Sequence, residues 1–347
     1  MNVKRILVIR FSSLGDIILL TPVFRELKKQ FNDSRIDFLT SSTFESVCNH
    51  NPHVSSIITF NRKDEALETK KVVSLLRNNH YDLIIDAHNS IRSRVLLIKA
   101  FGFNYWRRSS IVSIDKRSWK RNLLLSLKVN LLKNAVSQRE AYCQLIPSVP
   151  GSKQPNSSTE LFPNSDDQER VKAILHDFCG EGKLLVGLGP GASFTGKCWP
   201  KEKFLALSSK LQEMGAAIVL LGGKDDTEAF WIESRCHSPL LNVAGKLTYL
   251  ETAAMLRECR FSISNDSAIV HFSEAMGTPS IAIFGPTAKE FGYGPFLPES
   301  RLLEVLLNCR PCSRNGKGVC QNPNIRQCLN DISVDMVFSA ARELMDK

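Results

Sequence analysis

Short apolar runs alternate with amphipathic segments along this chain, and the alternation occurs twice. In the first half, strands are predicted at Lys4–Arg10, Arg35–Leu39, Val54–Thr59 and Tyr81–Asp86. A helix is predicted from about Gly15 to Phe31, where apolar residues recur at helical spacing. Strands separated by helices are typical of βαβ units, which build a parallel sheet covered by helices on both faces.

The alternation restarts after a polar, turn-rich stretch, Pro147–Asp166, which we interpret as an interdomain linker. Beyond it, strands are predicted at Leu184–Leu188, Ala216–Leu221, Leu240–Val243, Arg260–Ser264 and Ser280–Phe284. Helices are predicted at Lys201–Met214, Asp225–Cys236, Tyr249–Glu258 and Ser267–Met276. A chain of 347 residues suits two domains, so we expect boundaries at 1–160 and 161–332. A last helix, 333–347, is expected to pack back toward the N-terminal domain.

The net charge of +10 predicts an acidic partner: a nucleotide, a nucleic acid or an anionic membrane surface. Between residues 92 and 133 the one acid is Asp115, against eleven bases. These bases are Arg92, Arg94, Lys99, Arg107, Arg108, Lys116, Arg117, Lys120, Arg121, Lys128 and Lys133. Trp119 and leucines from 123 to 132 give this stretch an apolar side, which suits a membrane-interfacial helix or, with better support, a core-facing helix.

No apolar run approaches the ~20 residues that a membrane-spanning helix needs. The N-terminal apolar run is short and ends at Arg10, so we interpret it as a strand rather than an export signal and expect a cytoplasmic protein. Ten cysteines in such a chain favour reduced thiols over disulfides.

The first loop of chemical interest is Phe11–Asp16, between the first predicted strand and helix. In open α/β sheets ligands bind beyond the carboxyl ends of the strands, which is where this loop lies. Its small residues let the backbone approach a ligand, and Asp16 adds a carboxylate. The alternative is that Asp16 only stabilises the positive end of the helix dipole, and the loop taken alone favours that alternative.

The second loop, Leu188–Pro200, combines glycines, hydroxyls and Lys197 ahead of a predicted helix. Backbone N–H groups in such a loop can cradle phosphate. It is not a Walker A loop, because the glycine spacing before Lys197 is wrong and no Ser or Thr follows. A plain strand-to-helix connection explains it equally well.

The third loop, Ser264–His271, ends a strand in an acid and opens a helix. N–H groups and a hydroxyl at a helix N-terminus suit a diphosphate. His271 follows Ser267 by four residues and shares its helical face. An ordinary helix cap and a packed histidine explain the same residues, and the isolated motif favours that alternative.

Taken together, these segments resemble glycosyltransferase family 9, the heptosyltransferases that build the inner core of bacterial lipopolysaccharide from ADP-heptose. The matching segments are SSLGD at 12–16, PGAS with KCWP at 190–200, LLGGKDD at 220–226, NDSAIVH at 265–271 and GTPSIAIFGPT at 277–287. The resemblance covers nearly the whole chain. It implies an α/β fold of the GT-B type, with two Rossmann-like domains facing across a cleft. The first would bind the acceptor and the second the nucleotide sugar.

The resemblance also implies roles for single residues. Asp16 would be the catalytic base. Donor contacts are implied for Ser193, Lys197, Asp225, Asp266, Ser267, Ala268 and His271. Asp225 matches an acid that holds the ribose hydroxyls, with Asp226 as its rival. Ser267 and Ala268 stand where Thr-Gly is common, and Ala192 puts one donor contact in doubt.

On the acceptor side, contacts are implied for Arg92 and Ser13. Arg92 lies in the segment Asp86–Ser93, and its guanidinium can bind a carboxylate or a phosphate through two hydrogen bonds. A solvated arginine at a helix start is the alternative, but the basic stretch favours a functional role. The expected partners are ADP-heptose, a lipid A/core acceptor and the anionic inner face of the cytoplasmic membrane. We expect peripheral membrane contact, no nucleic acid and a monomer.

Four cysteines cluster near the C-terminus, namely Cys309, Cys312, Cys320 and Cys328. Four thiolates can close a tetrahedral zinc site, so a structural zinc is one interpretation. The spacing is looser than that of a zinc ribbon, which favours free or oxidisable thiols. No cofactor is expected to be required.

The expected reaction is a direct, inverting displacement. Asp16 deprotonates an acceptor hydroxyl, while Lys197 and the helix N-terminus at 266–268 stabilise the leaving diphosphate without a metal. Two alternatives stand: a GT-B transferase that uses another nucleotide sugar, and a non-catalytic nucleotide or nucleic-acid binding protein. The basic stretch permits the second, but few aromatic residues accompany it and no known RNA-binding motif is present.

Overall fold

The structure of the protein is a computed structural model that describes residues 3–105, 110–148, 153–179 and 182–346. It consists of two compact units. Unit 1 comprises Met1–Ser118 and Gln138–Phe162, and unit 2 comprises Trp119–Ser137 and Pro163–Lys347.

Unit 1 alternates strands and helices as predicted. Its strands are β1 (Arg5–Ile9), β2 (Arg35–Ser41), β3 (Ser56–Phe60), β4 (Leu83–Asp86) and β5 (Ile111–Ser113). Its helices are α1 (Leu14–Gln30), α2 (Glu65–Asn78) and α3 (Ile91–Phe101), followed by α4 (Ser118–Leu127), where the chain enters unit 2, and by α5 (Gln138–Cys143). The strands form one parallel sheet in the order β3-β2-β1-β4-β5. Residues 6–9 of the central β1 are fully buried, because helices cover both faces of a parallel sheet.

Unit 2 repeats this plan with one more strand. Its strands are β6 (Leu185–Gly189), β7 (Ala217–Leu220), β8 (Leu241–Asn242), β9 (Phe261–Asn265), β10 (Ser280–Ile283) and β11 (Arg301–Leu303). Its helices after α5 are α6 (Ser165–Cys179), α7 (Lys201–Glu213), α8 (Thr227–Glu233), α9 (Tyr249–Glu258), α10 (Ala268–Ala275), α11 (Gln327–Asn330) and α12 (Val334–Met345). The parallel sheet has the order β11-β10-β9-β6-β7-β8, which is the doubly wound order of Rossmann-like domains.

Each sheet has a switch point, where the order of the strands reverses. In unit 1 it lies between β1 and β4, and in unit 2 between β6 and β9. Ligands of open α/β sheets bind at this crevice, beyond the carboxyl ends of the strands. The loops after β1, β4, β6 and β9 are the segments singled out from the sequence.

The expected organisation differs from the structure in one place. The segment 119–137 belongs to unit 2, because Leu124 and Leu132 are buried against Ala288 and Phe291. The C-terminal helix α12 belongs to unit 2, and its expected packing toward the N-terminal domain stays a prediction. Within unit 2, α12 packs against α7 and β10, with Leu344 buried in the core of that unit.

Candidate active site

The carboxyl end of β1 carries a buried carboxylate, that of Asp16 in the first turn of α1. This residue is 8% exposed. Arg10 Nη2 lies 2.7 Å from Asp16 Oδ2, and Ser13 Oγ donates to the same oxygen over 2.7 Å. From α5, the hydroxyl of Tyr142 donates to Asp16 Oδ1 over 2.8 Å. Three neighbours therefore hold the carboxylate in one orientation.

The pKa of Asp16 results from opposing effects. Burial alone would raise it, because a buried carboxylate loses hydration. The charge of Arg10 and the hydrogen bonds from Ser13 and Tyr142 outweigh burial and lower the pKa to about 2. Asp16 is therefore ionised throughout the neutral range and can accept a proton there.

Cationic side chains surround the neighbouring loop after β4. The half-buried His88 lies edge-on to the ring of Phe11, at 5.4 Å between ring centres. Burial, with the charges of Arg10 and Lys116, lowers the pKa of His88 to about 3, so its imidazole is neutral at physiological pH. Burial and Arg10 likewise lower the pKa of Lys116. A region where cations repel one another in this way attracts anionic groups.

The two residues with implied acceptor contacts have partners inside unit 1. The Ser13 hydroxyl and backbone N–H both donate to Asp16. Arg92 Nε donates to Glu65 Oε1 over 3.0 Å, and its guanidinium lies 5.9 Å from the ring centre of Phe11. Both residues follow strands that flank the switch point, and their contact with an acceptor stays a prediction.

In unit 2, the side chain of Asn265 fixes the loop predicted to bind phosphate. Asn265 ends β9 and is fully buried. Its Nδ2 donates to the carbonyl oxygen of Pro190 over 2.6 Å, and its Oδ1 accepts from the backbone N–H of Trp199 over 2.8 Å. Trp199 is also fully buried, and its Nε1 donates to the carbonyl oxygen of Ile332. Both ends of the loop 190–199 are therefore bonded to one amide.

Lys197 lies within this loop, in the 3-10 turn Thr195–Lys197. Its Nζ is 3.1 Å from Asp266 Oδ2, and Thr287 Oγ1 donates to the same oxygen over 2.8 Å. The side chains of Lys197 and Asp266 are each 13% exposed. The structure thus brings together two predicted donor-binding residues from different loops.

The N-terminus of α10 lies beside this ion pair. Ser267 is the N-cap residue, and its hydroxyl accepts from the Ile269 N–H over 3.3 Å. Ala268 is the first residue of the helix. A methyl group on Gly189 would lie 2.8 Å from Ser264 Cβ, so glycine at the end of β6 allows close packing here. The positive end of the helix dipole and its N–H groups suit an anionic ligand.

The remaining predicted donor residues differ in burial. His271 is buried, and its ring centre lies 6.5 Å from that of Tyr293. Ser193 is exposed in the phosphate loop. Asp225 is exposed as well, in the loop that follows β7.

Asp226, the rival of Asp225, is the acid that lies against the phosphate loop. Its Oδ1 caps α8 by accepting from the Ala229 N–H over 3.2 Å. A side chain at Gly191 or at Gly222 would collide with the Asp226 carboxylate, which explains both glycines. Burial raises the pKa of Asp226 to about 6. The part that either acid plays toward a donor stays a prediction.

A tail loop, residues 313–318, packs against the phosphate loop. A side chain at Gly196 would collide with the carbonyl oxygen of Gly316, and one at Gly316 would collide with the side chain of Lys197. Gly316 has a φ of 83°, a conformation that favours glycine. Its N–H donates to Ser313 Oγ over 2.9 Å. The position of Lys197 thus depends on a segment close to the C-terminus.

A family model described as glycosyltransferase family 9 (heptosyltransferase) matches residues 70–325, most of the chain. The chain belongs to glycosyltransferase family 9. It is therefore an enzyme that transfers a sugar, and the family predicted from its loops is confirmed.

Relatives and solved structures agree with this assignment. The chain is 27% identical to lipooligosaccharide heptosyltransferase 2 of Haemophilus ducreyi, over 98% of this chain and 99% of that protein. The crystal structure of a family 9 glycosyl transferase from Veillonella parvula superposes with a TM-score of 0.80 at 20% identity, covering 100% of this chain and 99% of that one. The E. coli ADP-heptose lipopolysaccharide heptosyltransferase II gives a TM-score of 0.74 at 20% identity, with 98% of each chain covered. The predicted GT-B fold class, with two Rossmann-like domains, is confirmed.

Three residues that organise the site of this family 9 enzyme had no role in the sequence analysis. Asn265 opens a segment that was singled out, but nothing local shows that an amide binds both ends of a distant loop. Tyr142 lies in a short helix far along the chain from Asp16. Arg10 ends the first predicted strand. Its charge directly after four apolar residues was the one sequence signal that could have indicated a role in the site.

The basic stretch of this enzyme is divided between the two units. Lys120, Arg121, Lys128 and Lys133 belong to unit 2, whereas the bases up to Arg117 belong to unit 1. Arg107 and Arg108 lie outside the described residues. In the described part of the chain, no helix has the length and apolar character needed to cross a bilayer.

All ten cysteines are free thiols, as the sequence predicts. In the tail, Cys309 Sγ accepts from the side-chain amide of Asn322 over 3.4 Å, and Cys320 Sγ accepts from the backbone N–H of Arg326 over 3.3 Å. Cys312 is exposed and Cys328 is buried. Among the residues that the structure describes, no three His, Cys, Asp or Glu are arranged to hold a metal ion. A zinc at these cysteines stays a prediction that no side-chain arrangement supports.

Proposed function

We propose that this enzyme transfers heptose from ADP-heptose to the inner core of lipopolysaccharide, with inversion at the anomeric carbon. The names of its relatives support the acceptor class, since the Haemophilus ducreyi protein is a lipooligosaccharide heptosyltransferase. The E. coli structure is that of an ADP-heptose lipopolysaccharide heptosyltransferase, which supports the donor.

The observation that carries the proposal is the arrangement around Lys197. Asn265 fixes the loop that holds this lysine, and the lysine lies beside Asp266 at the N-terminus of α10. A cation, a helix N-terminus and a glycine-rich loop together suit the diphosphate of a nucleotide sugar. When the donor binds, its phosphate oxygens compete with Asp266 for Lys197. The same groups stabilise the charge that grows on the diphosphate as it leaves.

Asp16 acts as the general base of the proposed reaction. The acceptor hydroxyl attacks the anomeric carbon, a new C–O bond forms, the bond to the diphosphate breaks, and the hydroxyl proton passes to Asp16. A carboxylate with a pKa of about 2 is a weak base toward a free hydroxyl. It suffices for a late transfer, because the hydroxyl becomes strongly acidic once its oxygen bonds to carbon.

The cations near His88 favour an acidic acceptor. Arg10 and Lys116 repel one another and lie next to a neutral imidazole, so a phosphate or carboxylate of the acceptor relieves this repulsion. A core oligosaccharide carries such groups. The acceptor is anchored in lipid, so we propose that the enzyme works as a peripheral protein on the cytoplasmic face of the inner membrane.

A donor panel tests the proposal. Calorimetry with ADP-heptose, ADP-glucose, UDP-glucose and GDP-mannose should give the tightest binding for ADP-heptose, and only this donor should support transfer to heptose-deficient core. The anomeric configuration of the product, read by NMR, should be opposite to that of the donor. Transfer from a different nucleotide sugar alone would replace the donor, and a retained configuration would exclude the direct displacement.

A further inference from the structure

Large apolar side chains of unit 2 protrude from one short segment, residues 119–133, called here the 119–133 surface. It includes most of α4 and the turn that follows. Trp119 is 61% exposed, Leu127 66%, Leu131 49% and Val129 45%. The interpretation of this stretch as a core-facing helix therefore holds for only part of it.

The opposite side of the same segment is fixed to unit 2. Leu124 and Leu132 are buried against Phe291. The guanidinium of Arg121 lies 5.7 Å from the ring centre of Phe291 and donates to its carbonyl oxygen over 3.1 Å. Because the segment is anchored, the exposed Trp119 and its neighbours are a property of the folded unit.

The charges on the 119–133 surface are all positive. Residues 116–137 contain six Lys or Arg and no Asp or Glu. Lys120 Nζ lies 5.5 Å from the ring centre of Trp119. Lys133, near the end of the segment, is exposed. Apolar side chains that alternate with lysines are typical of proteins that bind the headgroup region of a bilayer, where the rings and aliphatic chains enter and the ammonium groups stay outside.

A second stretch without acids joins this surface. Residues 305–330 contain four Lys or Arg and no Asp or Glu. Lys128 Nζ donates to the carbonyl oxygens of Cys309, over 3.0 Å, and Pro311, over 2.6 Å. Arg314 donates to the side chain of Asn122. Segments far apart in the sequence thus place Lys128 and Arg314 together in unit 2, although Glu304 pairs with Arg310 and Glu290 accepts from Asn130 over 3.2 Å.

We propose that the 119–133 surface docks this enzyme onto an anionic lipid bilayer. Trp119, Leu127 and Leu131 enter the boundary between headgroups and acyl chains, while Lys120 and Lys133 bind lipid phosphates. The charge decides between this occupant and a second copy of the chain. Two such surfaces would bring like charges together, whereas anionic lipids complement them. The inference rests on the proposed function only in that a lipid-anchored acceptor gives the docking a purpose.

Two variants of the full-length protein separate the contributions. W119A/L127A/L131A removes the apolar side chains, and K120Q/K133Q removes two charges. Leu67, Lys70 and Lys71 are exposed residues of α2 in unit 1, so L67A/K70Q/K71Q is a matched control. Co-sedimentation uses vesicles of phosphatidylglycerol with phosphatidylethanolamine, and vesicles of phosphatidylcholine alone for comparison. No sugar donor or acceptor is present, so the result does not depend on the proposed reaction.

The wild type and the control should bind the anionic vesicles equally and the phosphatidylcholine vesicles weakly. In K120Q/K133Q, the partition coefficient onto the anionic vesicles should fall roughly fivefold for each lysine removed, at low salt. W119A/L127A/L131A should lose at least about tenfold, and its circular dichroism spectrum and melting temperature should match the wild type. Brominated lipids should quench wild-type tryptophan fluorescence, and W119F should lose most of this quenching while W231F retains it.

Three outcomes would overturn the proposal. One is wild-type vesicle binding by both surface variants. Another is quenching that persists in W119F. The third is a wild-type dimer, detected by light scattering, that W119A/L127A/L131A converts to a monomer without a change in vesicle binding, which would assign the surface to self-association.

Discussion

The two units use the same topology to place a carboxylate beside a helix N-terminus, but they direct it differently. In unit 1, Asp16 folds back on the N-terminus of its own helix, where Ser13 N–H and Arg10 bind it. In unit 2, Asp266 follows β9, the counterpart of β4 rather than of β1, and turns to Lys197 and Thr287. Unit 1 thus satisfies its helix N-terminus with a protein carboxylate, whereas the N-terminus of α10 lies beside the Lys197–Asp266 ion pair. One arrangement suits proton transfer, and the other suits phosphate binding.

The largest expected effect comes from removing the carboxylate in unit 1. Asp16→Asn should lower turnover by roughly a hundredfold to ten-thousandfold, because the amide cannot accept a proton, while ADP affinity measured by calorimetry stays unchanged. The buried Arg10 loses its counter-ion, so the unfolding free energy should fall by about 3 kcal/mol. The difference in unfolding free energy between the wild type and Asp16→Asn should decrease as the pH falls from about 4 to about 2. The lowered pKa of Asp16 stabilises the folded wild type fully above pH 4, and protonation removes this stabilisation as the pH approaches 2.

Asp37 in β2 provides a matched control for that variant. It is 5% exposed and also has an arginine and a tyrosine partner, Arg35 at 3.0 Å and Tyr81 at 2.9 Å. Asp37→Asn should destabilise unit 1 without the loss in turnover. Equal turnover of Asp16→Asn and Asp37→Asn would remove Asp16 from the mechanism.

The next effect tests the phosphate side of the comparison. Lys197→Ala should weaken ADP binding by about tenfold to a hundredfold, the usual range for one charge-assisted hydrogen bond. Calorimetry with ADP measures it. Lys201→Ala is the control, because Lys201 stacks on Trp231, at 4.8 Å from its ring centre, outside the loop. Unchanged affinity in Lys197→Ala would show that the phosphates bind elsewhere.

A smaller effect follows from Asp226, whose pKa is raised where that of Asp16 is lowered. An ionised, buried carboxylate destabilises the folded state above its raised pKa of about 6, and protonation relieves this cost as the pH falls. The melting temperature of the wild type should therefore rise relative to that of Asp226→Asn between pH 7 and pH 5. Thermal unfolding of both proteins measures the difference, and a constant difference over this range would contradict the raised pKa.

Removal of divalent metal ions is expected to have no effect on the rate of transfer. If side chains and the dipole of α10 stabilise the leaving diphosphate, EDTA should leave the initial rate of transfer unchanged. Complete loss of activity that magnesium restores would show that unit 2 binds the donor through a metal instead.

The sequence predicts the parts of the fold that depend on local pattern. The central strands are continuous apolar runs, and residues 6–9 of β1 are fully buried, so periodicity alone located them. The edge strands β5 and β11 were missed, because each is three residues long, has only two adjacent apolar residues and has no fully buried residue. The apolar stripe of α12 predicts that this helix packs but not on which element, and its contacts with α7 and β10 depend on segments far away in the chain.

The same distinction holds for the site. Lys197 and Asp266 lie in loops that carry chemistry at the ends of strands, and the rule for open sheets predicts that position. Two other features depend on contacts between segments far apart in the chain, which no local pattern encodes. They are the hydrogen bonds from Asn265 to both ends of the loop 190–199 and the hydrogen bond from the Tyr142 hydroxyl to Asp16. The sequence does not show which of the adjacent acids Asp225 and Asp226 lies against the phosphate loop. That depends on the direction of the turn that carries them.

The contact of Gly316 with Gly196 and Lys197 has a consequence for biosynthesis. The ribosome has synthesised the strands of unit 2 once it reaches Leu303. The tail loop that packs against Gly196 and Lys197, residues 313–318, is synthesised later. A nascent chain of unit 2 therefore acquires its sheet before it acquires a finished phosphate loop. If the donor phosphates bind at Lys197 as proposed, a fragment that ends before residue 313 lacks this contact and should bind the nucleotide sugar weakly.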